Sequence, residues 1–285
     1  MRFRITSANW HPPTTTIHWP QSTPHAISPR TDVRMTRYAF PAALVAAAVV
    51  FPAHSQAQSA AASVSLEATS DLRARGLSWS GGRAAMAVDA SLPLSTDVSI
   101  DLGAASLRDS ARHGDADIGL TLSPELTLYS GGGWTLSAAA TGHVFVGASG
   151  LSYGELGTRL SRTIGPARLD LGASFAPSQK AIGGSDLYLE ANAAVGIPGT
   201  ALTVYGGGGY STGSTRNSAL AAMRVQRLRP DGSYWDHYLG VEQQMDRLAL
   251  GLRYTGTSIG DDLAPGRYRD RHTGSRIAAY LRFTP

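Results

Sequence analysis

In Val64-Ser65-Leu66-Glu67-Ala68-Thr69, apolar and polar side chains alternate one for one, and Leu72 continues the apolar set against Asp71 and Arg73. Successive side chains of a β-strand point to opposite faces, so a polarity period of two marks a strand with one apolar and one polar face. The pattern returns at Met86/Val88/Ala90/Leu92, Val98/Ile100/Leu102/Ala104, Ala116/Ile118/Leu120/Leu122, Trp134/Leu136/Ala138/Ala140, Leu156/Leu160 and Leu169/Leu171/Ala173/Phe175. It returns again at Leu187/Leu189/Ala191/Ala193/Val195, Leu202/Val204, Trp235/Leu239/Val241, Leu248/Leu250/Leu252/Tyr254 and Ile277/Ala279/Leu281/Phe283, which makes twelve strands. Leu220 to Leu228 alternates weakly and reads equally as a helix, so it is placed inside a loop.

No helix of ordinary length separates the strands, so neighbours in sequence are expected to pair antiparallel as a meander. An open sheet would leave two unpaired edges, whereas an even-numbered barrel leaves none. The predicted fold is therefore all-β: a single up-and-down antiparallel barrel of twelve strands, with ten to fourteen as the range. Long connections (Ala74 to Arg83, Leu107 to Gly114, Pro177 to Ser185, Ser211 to Gly232, Ser258 to Gly274) alternate with tight ones such as Ile164-Gly165-Pro166, Gly196 to Gly199 and Gln244 to Asp246. Outer-membrane barrels have long external loops and short periplasmic turns, which would put both termini on the periplasmic side. Ser123 to Gly133 is long for a turn and Gly147 to Leu151 short for a loop.

Alternation alone also fits a soluble barrel with its apolar face inward. The polar face decides between them. It carries the acids Glu67, Asp71, Asp89, Asp101, Asp115, Asp117, Glu155, Asp170, Glu190, Asp236 and Glu242. It also carries Arg73, Arg159, Arg168, Arg247, Arg253, Arg276 and Arg282, while the apolar face has only Arg162 and His237 among Arg, Lys, His and acids. Small residues such as Ser99, Gly103, Gly119, Ser137, Gly157, Gly172, Gly240 and Gly251 lie between those charges. Small side chains suit a lumen, and a charge on a lipid face would cost ~2–4 kcal/mol at mid-membrane. Trp134, Phe175, Tyr254 and Phe283 stand at strand ends on the apolar face, where rings sit at a membrane interface.

The composition agrees. Of 285 residues, 16% are charged, 32 are glycine and none is cysteine, which excludes a disulfide scaffold, a Cys-ligated metal and a cysteine nucleophile. The net charge of +4 resides at the N-terminus, since residues downstream of 57 divide into 20 basic and 20 acidic, so the barrel makes no case for nucleic acid. Met35-Thr36-Arg37, the ten-residue apolar run Ala42 to Phe51 and Ser55-Gln56-Ala57 read as a secretory signal over residues 35–57. Residues 1–34 read as an upstream extension outside the fold and Met35 as the start, leaving residues 58–285 as the barrel.

Arg73-Ala74-Arg75-Gly76-Leu77-Ser78, then Gly82-Arg83-Ala84-Ala85 and the strand Ala87-Val88-Asp89-Ala90-Ser91, resemble the opening of the bacterial TorF-type porins. That family begins its mature barrel with an arginine-rich turn followed by a strand with a central Asp. Asp115-Ala116-Asp117-Ile118-Gly119 and Tyr153-Gly154-Glu155-Leu156 resemble its later strands, while Trp79 and the Ser211 to Gly232 loop lie outside the pattern. The resemblance implies a Gram-negative outer-membrane barrel with channel activity. The alternating Ile277 to Phe283 segment resembles the C-terminal insertion signal of such barrels, which implies contact with the barrel-assembly machinery.

Other chemistry is weakly supported. Gly206 to Gly209 lacks the Lys-Ser or Lys-Thr of a phosphate loop. Asp115 and Asp117 lack the later carboxylate of a calcium loop and read as paired lumen acids. His143 and His272 have no metal-ligand spacing, so no metal, cofactor or catalytic residue is assigned. His237 has no serine or acid fixed beside it by spacing, which leaves a lipid-modifying enzyme as the least supported reading. The expected function is passive diffusion of small polar solutes or ions through a mixed-charge lumen of acidic surplus, which favours small cations. The alternative is a non-conducting envelope barrel with a structural or loop-mediated binding role. Arg73, Arg159, Arg168 and Arg253 either form a basic ladder or pair with Asp71, Glu155 and Asp170, and pairing would fill part of a lumen already narrower than that of 16- to 18-stranded porins.

Overall fold

The computed structural model describes residues 61–260, 266–269 and 271–285. The signal and upstream segments assigned above lie outside these residues. The elements run β1 (Ser63–Thr69), β2 (Arg73–Ala74), β3 (Leu77–Ser78), β4 (Ala85–Pro93), β5 (Val98–Ser110), a 3-10 turn (Ala111–His113), β6 (Ala116–Gly131) and β7 (Trp134–Val146). They continue β8 (Tyr153–Ile164), β9 (Ala167–Gln179), β10 (Gly184–Gly196), β11 (Leu202–Thr212), α1 (Ala219–Val225), β12 (Tyr234–Met245), β13 (Leu248–Thr257) and β14 (Arg276–Phe283). Twelve of the strands form one closed antiparallel barrel in the order β1-β14-β13-β12-β11-β10-β9-β8-β7-β6-β5-β4, and β2 with β3 makes a separate hairpin.

Closure is made by the shortest barrel strand. β1 pairs with β4 from Ser63↔Ser91 to Thr69↔Ala85 and with β14 from Leu66↔Phe283 to Thr69↔Tyr280. All twelve strands read from polarity are present. The long turn expected at Ser123 to Gly133 is instead strand: β6 runs through Pro124 to Gly131, and only Gly132-Gly133, both at positive φ, make the turn. Proline cannot donate to a ladder. The pairing of β6 with β7 accordingly skips from Leu122↔Gly142 to Glu125↔Ala139, and the Ser123 and Thr141 hydroxyls bond across the gap at 2.8 Å. The ambiguous Leu220 to Leu228 segment holds the short helix α1, capped by the Ser218 side chain accepting from the Ala221 amide.

The two faces are inverted relative to a soluble protein. Leu171, Leu239 and Ile277 are 57%, 60% and 68% exposed on the outside, whereas Asp170 and Tyr280, facing inward, are 1% and 3% exposed. So large a continuous apolar surface is stable against hydrocarbon and not against water. Among the described residues no helix is long and apolar enough to cross a membrane, which bears only on helices.

Inward glycines accommodate inward tyrosines. Tyr205, in register with Gly240, and Tyr280, in register with Gly251, lie where a Cβ on the glycine would overlap the ring, and a Cβ on Gly209, which is in register with Glu190, would overlap the Tyr188 ring in the same way. The rings therefore lie along the wall over a neighbouring backbone. Gly240→Ala and Gly251→Ala are each expected to destabilise the barrel by about 1–3 kcal/mol through overpacking. Gly142→Ala, whose nearest neighbour would be 3.9 Å away, should be neutral. Urea unfolding read by loss of the compact, unheated band on a denaturing gel distinguishes them.

Candidate functional site

The first long connection does not stay outside. β1 stops at Thr69, so Asp71 and Arg73, expected on the polar face of the first strand, belong instead to a connection folded into the lumen. Its hairpin pairs Arg73↔Ser78 and Ala74↔Leu77, and the two-residue tip Arg75-Gly76 has positive φ at both positions (47° and 73°), the geometry of a type I′ turn. A Cβ at Gly76 would overlap Thr257 and Asp236, which shows how closely the tip meets the wall at β12 and β13.

Charges pin the hairpin. Arg75 donates to Glu155 of β8 at 2.9 Å and to Asp186 of β10 at 3.1 Å, and its guanidinium lies 4.5 Å from the Tyr188 ring centre. Tyr234 donates its hydroxyl to the Arg75 carbonyl at 3.0 Å. Burial alone would lower the Arg75 pKa, but Glu155 and Asp186 outweigh it and hold the group well above the ordinary arginine value. Arg73 bonds Asp71 at 3.0 Å and the carbonyls of Gly76, Gly274 and His272. Asp71 also takes Ser78 Oγ at 3.0 Å and Arg276 at 3.2 Å, yet burial still raises its carboxyl above the usual range, with Arg73 opposing.

The Ser211 to Gly232 loop closes over the hairpin. Its Arg227 is fully buried and donates to the carbonyls of Arg112 (3.0 Å), Leu151 (2.8 Å) and Ala181 (2.6 Å) and to His113 Nδ1. Burial lowers Arg227 to about 9. Trp79 of the hairpin connection meets His113 edge-on at 5.3 Å, and His113 stacks on Phe145 at 3.7 Å. Between hairpin, wall and cap remains a cavity of about 20 Å³, lined by Arg75, Trp79, His143, Glu155 and Arg227 among others. That is room for one water.

Below the hairpin, the wall from β8 to β13 is built in rows. One row runs Arg159, Gly172, Glu190, Gly209, Asp236, the next Ser161, Asp170, Asn192, Gly207, Tyr238, and the next Arg168, Ala194, Tyr205, Gly240, Arg253. Of the two arrangements open from sequence, pairing holds for Arg73, Arg168 and Arg159, the last with Glu190 and not Glu155, while Arg253 meets no carboxylate among the described residues. Arg168 bonds Asp170 at 3.0 Å, Arg159 reaches Glu190 at 3.5 Å, and Glu155 is taken by Arg75 and by His143 at 3.1 Å. Arg282 joins Glu67 and Glu242 at 3.1 and 3.0 Å. Asp89 and Asp101 are half-buried, with no ion pair among the described residues.

Other expected positions differ. Asp115 and Asp117 are exposed at the rim, not paired in the lumen, because β5 breaks register between Ser106 and Ser110 and Asp115 takes a positive φ of 61°. Arg247 is exposed in the β12–β13 turn. Trp134, Phe175 and Tyr254 are exposed on the outer face near strand ends, and Phe283, there too, is half-buried. His237 faces outward, tilted 5.7 Å from the Tyr254 ring, and the nearby Ser275 hydroxyl bonds Tyr254 at 3.0 Å. The inward tyrosines Tyr188, Tyr205, Tyr234, Tyr238 and Tyr280 escaped the sequence reading, although each stands at the polar parity between outward neighbours.

His113 makes the cap pH-sensitive. Burial first, then Arg227 and Arg112, push its pKa well below the ordinary value of 6.5, and as acceptor from Arg227 it is docked neutral. A base with a lowered folded pKa contributes stability above its unfolded pKa and loses it as pH falls. Acidification below about 6.5 should therefore cost up to ~1.4 kcal/mol per pH unit. Urea unfolding between pH 7 and 5 should show this loss in the wild type and much less of it in His113→Gln.

The barrel as a whole has counterparts among solved structures. One described as KdgM porin in complex with disordered oligogalacturonate is 6% identical over 78% of this chain and 98% of its own, with a TM-score of 0.51. The NanC porin is 8% identical over the same shares, also with a TM-score of 0.51. At such identity the likeness is one of fold. No curated protein matches the chain. A family model does match, over residues 53–278, and the chain belongs to that family, described as bacterial protein of unknown function, Gcw_chp.

Proposed function

We propose that this protein is an outer-membrane channel for passive diffusion of small polar solutes or ions, acting without catalysis, and that its family is allied to the TorF-type porins whose arginine-rich opening it resembles. The observation that carries this reading is the inversion of faces: an apolar exterior surrounds an interior lined with charge, tyrosine and glycine. Such a wall fits lipid outside and water or polar solute inside. The porins of similar fold support the same reading. The tight connections face the periplasm, the barrel-assembly machinery inserts the chain, and the exposed aromatics at strand ends sit at the interfaces.

In this reading the hairpin is the constriction and the paired arginines make its fastening. Asp89, Asp101 and the Asp236 oxygen that lacks a partner leave a surplus of uncompensated acid, which favours small inorganic cations. Removing Arg75 would take from Glu155 and Asp186 the cation they share, leaving Asp186 with Arg229 and Glu155 with His143, and should weaken the docking of the hairpin.

Planar-bilayer recording of the purified, folded protein in a salt gradient tests the proposal. Discrete ohmic steps with a cation-selective reversal potential are expected, and Arg75→Ala or excision of residues 72–79 should raise the step size several-fold. Anion selectivity would keep the pore and refute the charge assignment. Silence from folded, inserted wild type and from both variants would overturn the channel reading in favour of an envelope barrel that presents its loops.

A further inference from the structure

Arg253 differs from every other inward arginine of the barrel wall. Arg159, Arg168, Arg276 and Arg282 each reach a carboxylate, at 3.5, 3.0, 3.2 and 3.0 Å. Among the described residues Arg253 of β13 reaches none, and its one hydrogen bond to them runs from Nε to the Tyr205 hydroxyl at 3.2 Å.

The side chain is nevertheless firmly held. Its guanidinium carbon lies 5.6 Å from the Tyr205 ring centre and 5.2 Å from that of Tyr280. Because Tyr280 donates to Glu242 at 2.7 Å, the 2.9 Å contact between the two phenols has Tyr205 as donor, and Tyr205 in turn accepts from Arg253. The relay ends at Arg282, which donates to Glu242 at 3.0 Å. Nε is thus committed, and the two terminal nitrogens form the remaining edge. The residues in register on either side are Gly240 and Ala278, too small to cover it.

A guanidinium with no carboxylate in direct contact among the described residues, flanked by two rings and fixed through Nε, presents a planar end-on fork. Two parallel N–H donors match the two oxygens of a carboxylate, and charge-assisted bonds of this kind are roughly twice as strong as neutral ones. The rings beside the fork would contact the carbon skeleton behind the carboxylate. We propose that Arg253 is the docking point in the lumen for the carboxylate of small organic acids. This rests on the channel reading for its role in transport, though binding itself can be measured apart from conduction.

Gluconate and glucose match in carbon chain and hydroxyls and differ by the carboxylate. Gluconate binding to the detergent-folded protein is measured by calorimetry, and entry of both solutes by swelling of liposomes carrying the protein. Binding is expected in the wild type and to weaken about tenfold or more in Arg253→Gln, a change that one lost charge-assisted pair accounts for. The ratio of gluconate to glucose entry should fall in parallel. Arg253→Lys keeps the charge without the fork and should lie between the two, which preserves the test if the Gln variant does not fold. Gluconate that binds equally to all three, or not at all to the wild type, overturns the docking point. Arg253-dependent binding without entry of either solute keeps the docking point and removes the channel reading, whereas entry of both at a ratio indifferent to Arg253 does the reverse.

Discussion

A strand in hydrocarbon has no water to satisfy its backbone, so every N–H and C=O must find a partner on a neighbouring strand. The pairing of β1 with both β14 and β4 meets that requirement by joining the ends of the chain's fold, and the rest of the architecture depends on it. Closure forces one face of every strand inward and the other outward, so the period of two becomes a radial separation of polarity. It also confines all irregular backbone to the two ends of the barrel or to its inside.

Charge placed in so confined a space has to be compensated by charge. Bringing Arg75, Glu155 and Asp186 together out of water costs desolvation of each, and mutual attraction offsets that cost with help from Arg229, which reaches Asp186 at 3.0 Å, and His143, which reaches Glu155 at 3.1 Å. The same logic pairs Arg168 with Asp170 and strings Arg282 between Glu67 and Glu242. The hairpin is held both by these partners on strands distant in sequence and by burial of Leu72, Ala74, Leu77 and Trp79 in the apolar clusters of the interior. Arg253 makes no direct ion pair among the described residues, and the rings of Tyr205 and Tyr280 hold it in place.

The tyrosine and glycine pairs solve a second problem of confinement. Large side chains facing inward from twelve strands would fill the interior. Laying Tyr205 over Gly240 and Tyr280 over Gly251 keeps the rings against the wall, and the phenol oxygens then serve as hydrogen-bond relays between charges. Stability and lumen shape are thereby coupled through the same residues.

Strand number, antiparallel order, closure and the assignment of faces were all legible in the sequence, because each follows from local alternation and from the requirement that no edge remain. Most of the inward charges were legible as a polar set, but not which of them meet: Arg159 pairs with Glu190 and not Glu155, and Arg282 lies between Glu67 and Glu242. Several features were not. Asp71 and Arg73 continue the first strand's alternation, yet they sit in an inward hairpin, since the tip at Arg75-Gly76 finds its partners on β8 and β10. Asp115 and Asp117 alternate correctly and still face solvent, because a bulge in the neighbouring strand shifts the register there. Arg227 gave no signal at all, being one arginine in a loop until four groups from three separate segments converge on it. The sequence by itself determined the wall, whose physics is local and periodic. Only the tertiary structure decided what fills the barrel and which charges are left over, because those depend on contacts between residues that chain order holds far apart.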